Sequence, residues 1–234
     1  DDLSKIDRIS SQINFASRNK QYSIIASSCD FIDKKGNYLF TKSYPSKHEI
    51  IRWRLEKIGA FFPHSSVLIS RKVFNSMNGY NPLMKYSQDL ELWLRASSQY
   101  RIFSIDRPLV SIRIHSKRIS YYSSGKKQLI YSRACLIAYW LTKDYLIDYS
   151  NIYSNDKWEK FLSKISLFID REPYYIGRNA YIASLKSFKD GNYFSKIKLF
   201  FRKINYIFFY IFNFLIKQEL FLRQRAFLFK DDFL

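Results

Sequence analysis

The chain has 234 residues, is 47% hydrophobic and 19% aromatic, and carries 39 Lys/Arg against 20 Asp/Glu, a net charge of +19. That length suits one large or two small domains, and the apolar content excludes a disordered chain. The excess of positive charge asks for an acidic partner: nucleic acid, an anionic lipid surface or a phosphorylated substrate.

The charge is spread evenly except in residues 196–230, where eight basic residues face a single acid, Glu219. The chain opens with Asp1-Asp2, and no charged segment precedes an apolar run. No signal peptide is therefore expected, and the start reads as the middle of a longer protein. Cys29 and Cys135 lie far apart with no CxxC, which reads as two reduced, buried thiols.

In chain order, residues 3–18 read as a helix packed through Ile6, Ile9, Ile13 and Ala16. Residues 22–32, apolar and β-branched, read as a buried strand, 33–36 as a turn and 37–40 as a returning strand. Residues 49–58 read as a helix with Ile50, Trp53, Leu55 and Ile58 as packing residues. Then come a strand (66–70), a short helix (72–77) with Arg71 and Lys72 on a solvated face, and Gly79 as its C-cap. A helix begins after Ser87. Two strands, 100–105 and 109–114, are joined through Pro108. After Gly125 strands stop, and helices are expected over 127–147, 156–170, 174–189, 193–203 and 205–229. Residues 184–201 resemble one tetratricopeptide unit, but nothing repeats at that period. A domain boundary is expected near 121–126.

Residues 87–95, SQDLELWLR, carry the sharpest pattern. With Ser87 as N-cap, Asp89 is the second helical residue and shares a face with Leu92, Trp93 and Ala96. Glu91 lies on the far side, four residues before Arg95, and reads as an exposed ion pair. Asp89 therefore points toward a core or a cleft, as a second capping acid or as a base able to take a proton from a hydroxyl.

The order of the segments is more specific than any one of them: Asp1-Asp2 before a helix, a strand and hairpin, HSSVLISRKVF, NGY, QDLELWLR and PLVSIRIHSKRIS. Over residues 1–120 this series resembles the inverting family 2 glycosyltransferases of the GT-A fold, in the second half of their catalytic domain. The resemblance implies an α/β fold: a partial GT-A domain (1–122) lacking its donor-binding N-terminal half, followed by an all-α C-terminal region (123–234). It implies that Asp1 is the last aspartate of an Asp-x-Asp motif and a ligand of a divalent metal, Mg2+ or Mn2+, with Asp2 the acid after it. It implies that Asp89 is the catalytic base, and that Arg113 and His115 lie near the diphosphate and the metal, with Ser120 closing that element. Ser65, Tyr80 and Gln88 fall around the acceptor. Hard oxygen ligands suit a cation that neutralises a departing diphosphate, and direct displacement needs one oriented base. The chain departs from the pattern at Gln88, where the family has Glu, at Ile112, where it has Tyr, and at Asn78, where it has Gly. His64 reads as a strand-end residue or an acceptor contact. His48 is given no role.

Between Lys203 and Lys217 lie thirteen uncharged residues, too few to span a bilayer, flanked by Lys and Arg. Residues 193–230 suit either a helix lying on an anionic membrane surface or a terminal helix packed on the protein. The expectation is a nucleotide-sugar-dependent enzyme acting on a glycan or lipid-linked acceptor in cell-surface polysaccharide synthesis. It would be cytoplasmic and peripheral at the inner face of the membrane, and the fragment alone inactive. The alternatives are a non-catalytic basic peripheral membrane protein, which Gln88 favours, and a nucleic-acid-binding module. No nucleic acid is expected, because the charge is diffuse and no recognised motif appears.

Overall fold

A computed structural model describes residues 1–59, 62–114, 123–169 and 218–233. They fall into two compact units, Asp1–Tyr139 and Trp140–Leu234.

The first unit is built on β2 (Tyr22–Ile32), which every other long strand of its sheet touches. β5 (Arg101–Arg113) pairs parallel along the length of β2, from Tyr22↔Arg101 to Ile32↔Arg113. On the other side of β2, β4 (Leu68–Ile69) pairs antiparallel with Ile24 and Ile25, and β3 (Tyr38–Lys42) with Cys29–Ile32. β1 (Leu3–Ser4) adds antiparallel to the outer edge of β5. Seven consecutive β2 residues, Ile24–Asp30, are buried, the polar Ser27, Ser28 and Asp30 among them, as in a strand covered on both faces. Cys29 and Cys135 are both reduced and buried, as expected, and burial pushes the Cys29 thiol up to about 12.

The two strands expected around Pro108 are one. The register jumps from Ser27↔Ile105 to Ser28↔Pro108, so Asp106 and Arg107 bulge out and the proline needs no ladder donor. Ser28 Oγ donates to Asp106 Oδ1 at 3.1 Å and fastens the bulge.

Helix α1 (Arg8–Arg18) reverses the reading of its stripe. Ile6, Ile9 and Ile13 are exposed, and the buried residue is Gln12. Its Nε2 donates to Ile25 O and Ser66 O, both at 2.8 Å, so one amide joins α1, the central strand and the turn before β4. Periodicity located the helix but not its inner face, because a polar group buried with its partners is invisible to an apolar count. Gln12→Leu is expected to cost about 1–3 kcal/mol in urea unfolding by stranding those carbonyls. Ile9→Ser and Ile13→Ser should stay within about 0.5 kcal/mol, as surface changes do.

In α2 (His48–Ile58) Ile51 and Leu55 are the buried apolar residues among those described, while Ile50 and Trp53 are exposed. His48, given no role from sequence, is buried, and its Nδ1 accepts the Ile102 amide at 3.1 Å. Burial, reinforced by Arg101, holds its imidazole below the ordinary value of 6.5. The folded chain thus prefers neutral His48, so this contribution is complete above about pH 6.5 and is lost as pH falls through the lowered value. In His48→Asn, whose Oδ1 can still accept that amide, the thermal midpoint should lose this acid-side dependence below pH 6.5.

α3 (Arg71–Ser76) ends in two left-handed residues, Asn78 (φ 54°) and Gly79 (φ 65°). Asn78, not Gly79, takes the first left-handed position. The Gly79 amide returns to Phe74 O at 2.9 Å and the Asn78 amide to Asn75 O at 2.9 Å, a Schellman closure. Asn tolerates the conformation that the resemblance assigns to glycine there. Arg71 and Lys72 are exposed, as expected.

α5 (Ser123–Tyr145) begins just after residue 122 and runs on past Tyr139, the last residue of the first unit. Its residues through Tyr139 belong to the first unit, where Ser87 Oγ donates to Gln128 O and Tyr139 OH to Glu56 Oε1 at 2.6 Å. The second unit contains the end of α5, α6 (Tyr149–Ile152), α7 (Asn155–Ile169) and α8 (Gln218–Phe229), which closes in a 3-10 turn, Lys230–Asp232. Its core stacks Phe161 against Trp158, Phe229 and Phe233. The helices expected over 174–189 and 193–203, the tetratricopeptide-like segment and most of 205–229 lie outside the described residues. Among the described residues no helix is long and apolar enough to cross a membrane.

Candidate functional site

A single 3-10 turn, His64–Ser66, sets the geometry. It is held from below by the Gln12 amide on Ser66 O and from the side by Arg8, whose Nη1 donates to Ser65 O at 2.6 Å. Its two exposed side chains then reach in different directions.

Ser65 Oγ donates to Asp2 Oδ2 at 3.0 Å. The other oxygen of Asp2 accepts the Arg113 amide at 3.0 Å. Arg113 Nε donates to Asp1 O at 3.1 Å, and its Nη1 to Asp33 O and Lys34 O at 3.2 Å. Asp1, Asp2, Ser65 and Arg113 are thus brought together from three distant stretches of chain. Asp2 is fully engaged in holding the end of β5. Arg113 ties the first residue to the β2–β3 turn and keeps Nη2 without a partner among the described residues.

His64 Nε2 shares a hydrogen bond of 2.7 Å with Tyr80 OH, and the rings meet edge to face at 5.6 Å. Behind His64 stands Trp93, 6.1 Å away and 3% exposed, a core residue as expected. Trp93 lies one turn after Asp89 on α4 (Gln88–Ser97), where Asp89 is the second helical residue. Asp89 Oδ1 accepts the Leu90 amide at 2.8 Å, while Oδ2 has no partner among the described residues. Burial, and then the negative charge of Asp89, raise the Tyr80 hydroxyl above its ordinary value of 10.0, so the phenol stays protonated. Gln88 is half-buried at the start of the same helix.

Two expectations for α4 are overturned. Ser87 makes no side-chain cap: it adopts φ 55° and sends its hydroxyl to Gln128 O. Glu91 is not solvated but 2% exposed. Arg95 Nε and Nη2 reach its two oxygens at 2.6 and 2.8 Å, while Nη1 donates to Met77 O and Nη2 also to Gly79 O at 2.9 Å. The spacing found the pair. What it could not show is that Arg95 also clamps the carbonyls around Asn78, which pulls both charges inward.

His115 and Ser120 lie outside the described residues. Among the described residues no group of three or more His, Cys, Asp or Glu side chains is placed to hold a metal ion. The exposed Asp1 nevertheless suits a hard cation, since magnesium is commonly held by one or two carboxylates with substrate phosphates completing its shell. His64 is the functional candidate that sequence reasoning underrated. Its partner Tyr80 is sixteen residues away, and no spacing rule joins a turn to the residue after a left-handed cap.

Over 185 residues, 75% of its length, the chain is 26% identical to an uncharacterized glycosyltransferase of Methanocaldococcus jannaschii, and it spans 59% of that protein. No family model matches.

Proposed function

We propose that the chain is the acceptor-side part of an inverting, metal-dependent glycosyltransferase of the family 2, GT-A type. It would move a sugar from a nucleotide-sugar donor to a hydroxyl of a glycan or lipid-linked acceptor in surface-polysaccharide synthesis. The observation that carries this reading is the His64–Ser66 turn, which bonds Asp2, and through it Arg113 and Asp1, on one side and Tyr80, whose hydroxyl feels the charge of Asp89, on the other. Displacement at an anomeric carbon needs those two functions in adjoining places: charge compensation for the leaving diphosphate, and a base for the attacking hydroxyl.

Asp89 presents its unpartnered oxygen as that base. Arg113 directs its remaining guanidinium nitrogen to the diphosphate. Asp1 and His115 would hold Mg2+ or Mn2+, which, when bound, neutralises charge on the leaving group. Asp2 and Ser65 fix the end of β5 against the turn, and Gln88 flanks the base. The basic segment 193–230 would keep the enzyme on the cytoplasmic, anionic face of the membrane.

The test is release of nucleoside diphosphate from a panel of sugar nucleotides by the full-length gene product. Turnover is expected with Mn2+ or Mg2+, to be lost with EDTA and restored by excess metal. Metal-independent turnover would remove the metal from this reading, and no turnover of any donor would end it.

A further inference from the structure

We propose that the β2–β3 hairpin, residues 33–43, is a membrane-contact element: its apolar side chains enter the interfacial region of an anionic bilayer while its lysines meet the headgroups. The contact stands on the hairpin itself and needs no part of segment 193–230. Only its consequence for the site rests on the glycosyl-transfer reading.

Ten consecutive residues, 34–43, are exposed. β3 is the last strand of its sheet, and among the described residues only β2 pairs with it. Tyr38 is 63% exposed, and Leu39 and Phe40 47% each. Neighbouring side chains of a strand point to opposite faces, so this edge is apolar on both. The projection is nevertheless ordered. Phe40 stacks on Phe31 at 4.6 Å and 12°, and Thr41 Oγ1 donates to Asp30 Oδ1 at 2.7 Å. In the turn, Asp33 Oδ1 accepts the amides of Lys35 and Asn37 at 2.8 and 2.9 Å, and Oδ2 accepts the Asn37 side-chain amide at 3.0 Å. A fixed cluster of exposed apolar side chains marks a contact surface.

The charge around the cluster selects the occupant. Residues 33–43 hold three lysines, Lys34, Lys35 and Lys42, and one acid, Asp33, whose oxygens are spent inside the turn. Lys34 and Lys35 are exposed and make no ion pair among the described residues. The exposed Lys42 ammonium lies over the Tyr44 ring at 5.3 Å. Aromatic and aliphatic side chains bounded by lysines settle at the headgroup level of an anionic bilayer. A second copy would set these lysines against their own counterparts, and lysine on an edge strand opposes such pairing. A folded partner would cover one face of the strand, whereas headgroups and upper acyl chains close around both.

Arg113 Nη1 donates to the carbonyls of Asp33 and Lys34 at 3.2 Å, so the hairpin is tied to the residue proposed to meet the diphosphate. Seated on the bilayer, the hairpin would hold that residue near the surface where a lipid-linked acceptor lies.

The experiment places an environment-sensitive NBD label on Leu39→Cys in the full-length gene product. Cys29 and Cys135 are buried, so the introduced thiol takes the label, and the parent protein carried through the same labelling gives the background. On vesicles of phosphatidylcholine with phosphatidylglycerol the emission is expected to shift to the blue and brighten severalfold, and to do so far less on phosphatidylcholine alone. In co-sedimentation, Lys34→Gln with Lys35→Gln should lower the partition onto anionic vesicles about tenfold. Co-sedimentation with the label unmoved would overturn the proposal, because another segment would then hold the membrane. A label already blue-shifted without vesicles would overturn it too, since the same chain or a second copy would then cover the strand. An equal shift on uncharged vesicles, or no vesicle binding, would do the same. No sugar donor is present, so the result is independent of whether the glycosyl-transfer reading holds.

Discussion

Asp89→Asn is expected to lower kcat for transfer by about 10²–10⁴, the usual contribution of a positioned general base. The substitution is well matched to the structure. Asp89 Oδ1 caps the Leu90 amide, and an asparagine carbonyl oxygen can do the same, so α4 keeps its first turn. What is lost is the negative oxygen that faces no donor among the described residues. Circular dichroism and the thermal midpoint should therefore match the wild type while acceptor-dependent turnover collapses. The Tyr80 hydroxyl, held up partly by the charge of Asp89, should also titrate at a lower pH in the variant, a readout independent of activity. Turnover within tenfold of the wild type would remove Asp89 from the role of base.

The second large effect is on stability. Arg95→Met leaves Glu91, 2% exposed, without its cation, and strands the carbonyls of Met77 and Gly79. Removing one partner of a buried pair costs about 3–5 kcal/mol, because the remaining charge is desolvated and uncompensated. Glu91→Gln should cost less, since Arg95 keeps its two carbonyls. The double variant Glu91→Leu, Arg95→Met should recover part of the loss, as apolar replacement of a buried pair often does, but not all of it, because the carbonyls stay unpaired. With the single variant Glu91→Leu added, urea unfolding of wild type, Glu91→Leu, Arg95→Met and the double variant closes the cycle and gives the coupling directly. A loss below about 1 kcal/mol for Arg95→Met would mean that the pair behaves as an exposed one.

These two experiments probe different distances between sequence and structure. The place of Asp89, second in its helix and one turn before a buried tryptophan, was legible because helical spacing is local. Strand β2 was legible for a similar reason: its Ile24–Ile25 and Phe31–Ile32 pairs do not alternate with polar residues, as a strand covered on both faces allows. Glu91 was misread because the same local rule carries no information about what lies opposite the helix. The isoleucines of α1 failed in the same way, since a stripe shows that a helix has two faces, not which one is inward. Asp2, Ser65 and Arg113 were individually placed by resemblance. Their junction in one hydrogen-bonded set depends on β1 adding to β5, a pairing between the two ends of the unit that no window contains. The His64–Tyr80 bond needed two turns to meet, and turns are where side-chain direction is least predictable from type.

The parallel pairing of β2 with β5 also has a temporal consequence. The strand at the middle of the sheet emerges early from the ribosome, but its long partner follows only after all the intervening helices have been made. Until then the strand is paired on one side only, by β3 and β4, and loop closure over that distance must precede any reward from the long pairing. Synthesis speed and chaperone supply should thus govern the soluble yield of this protein more than its final stability does.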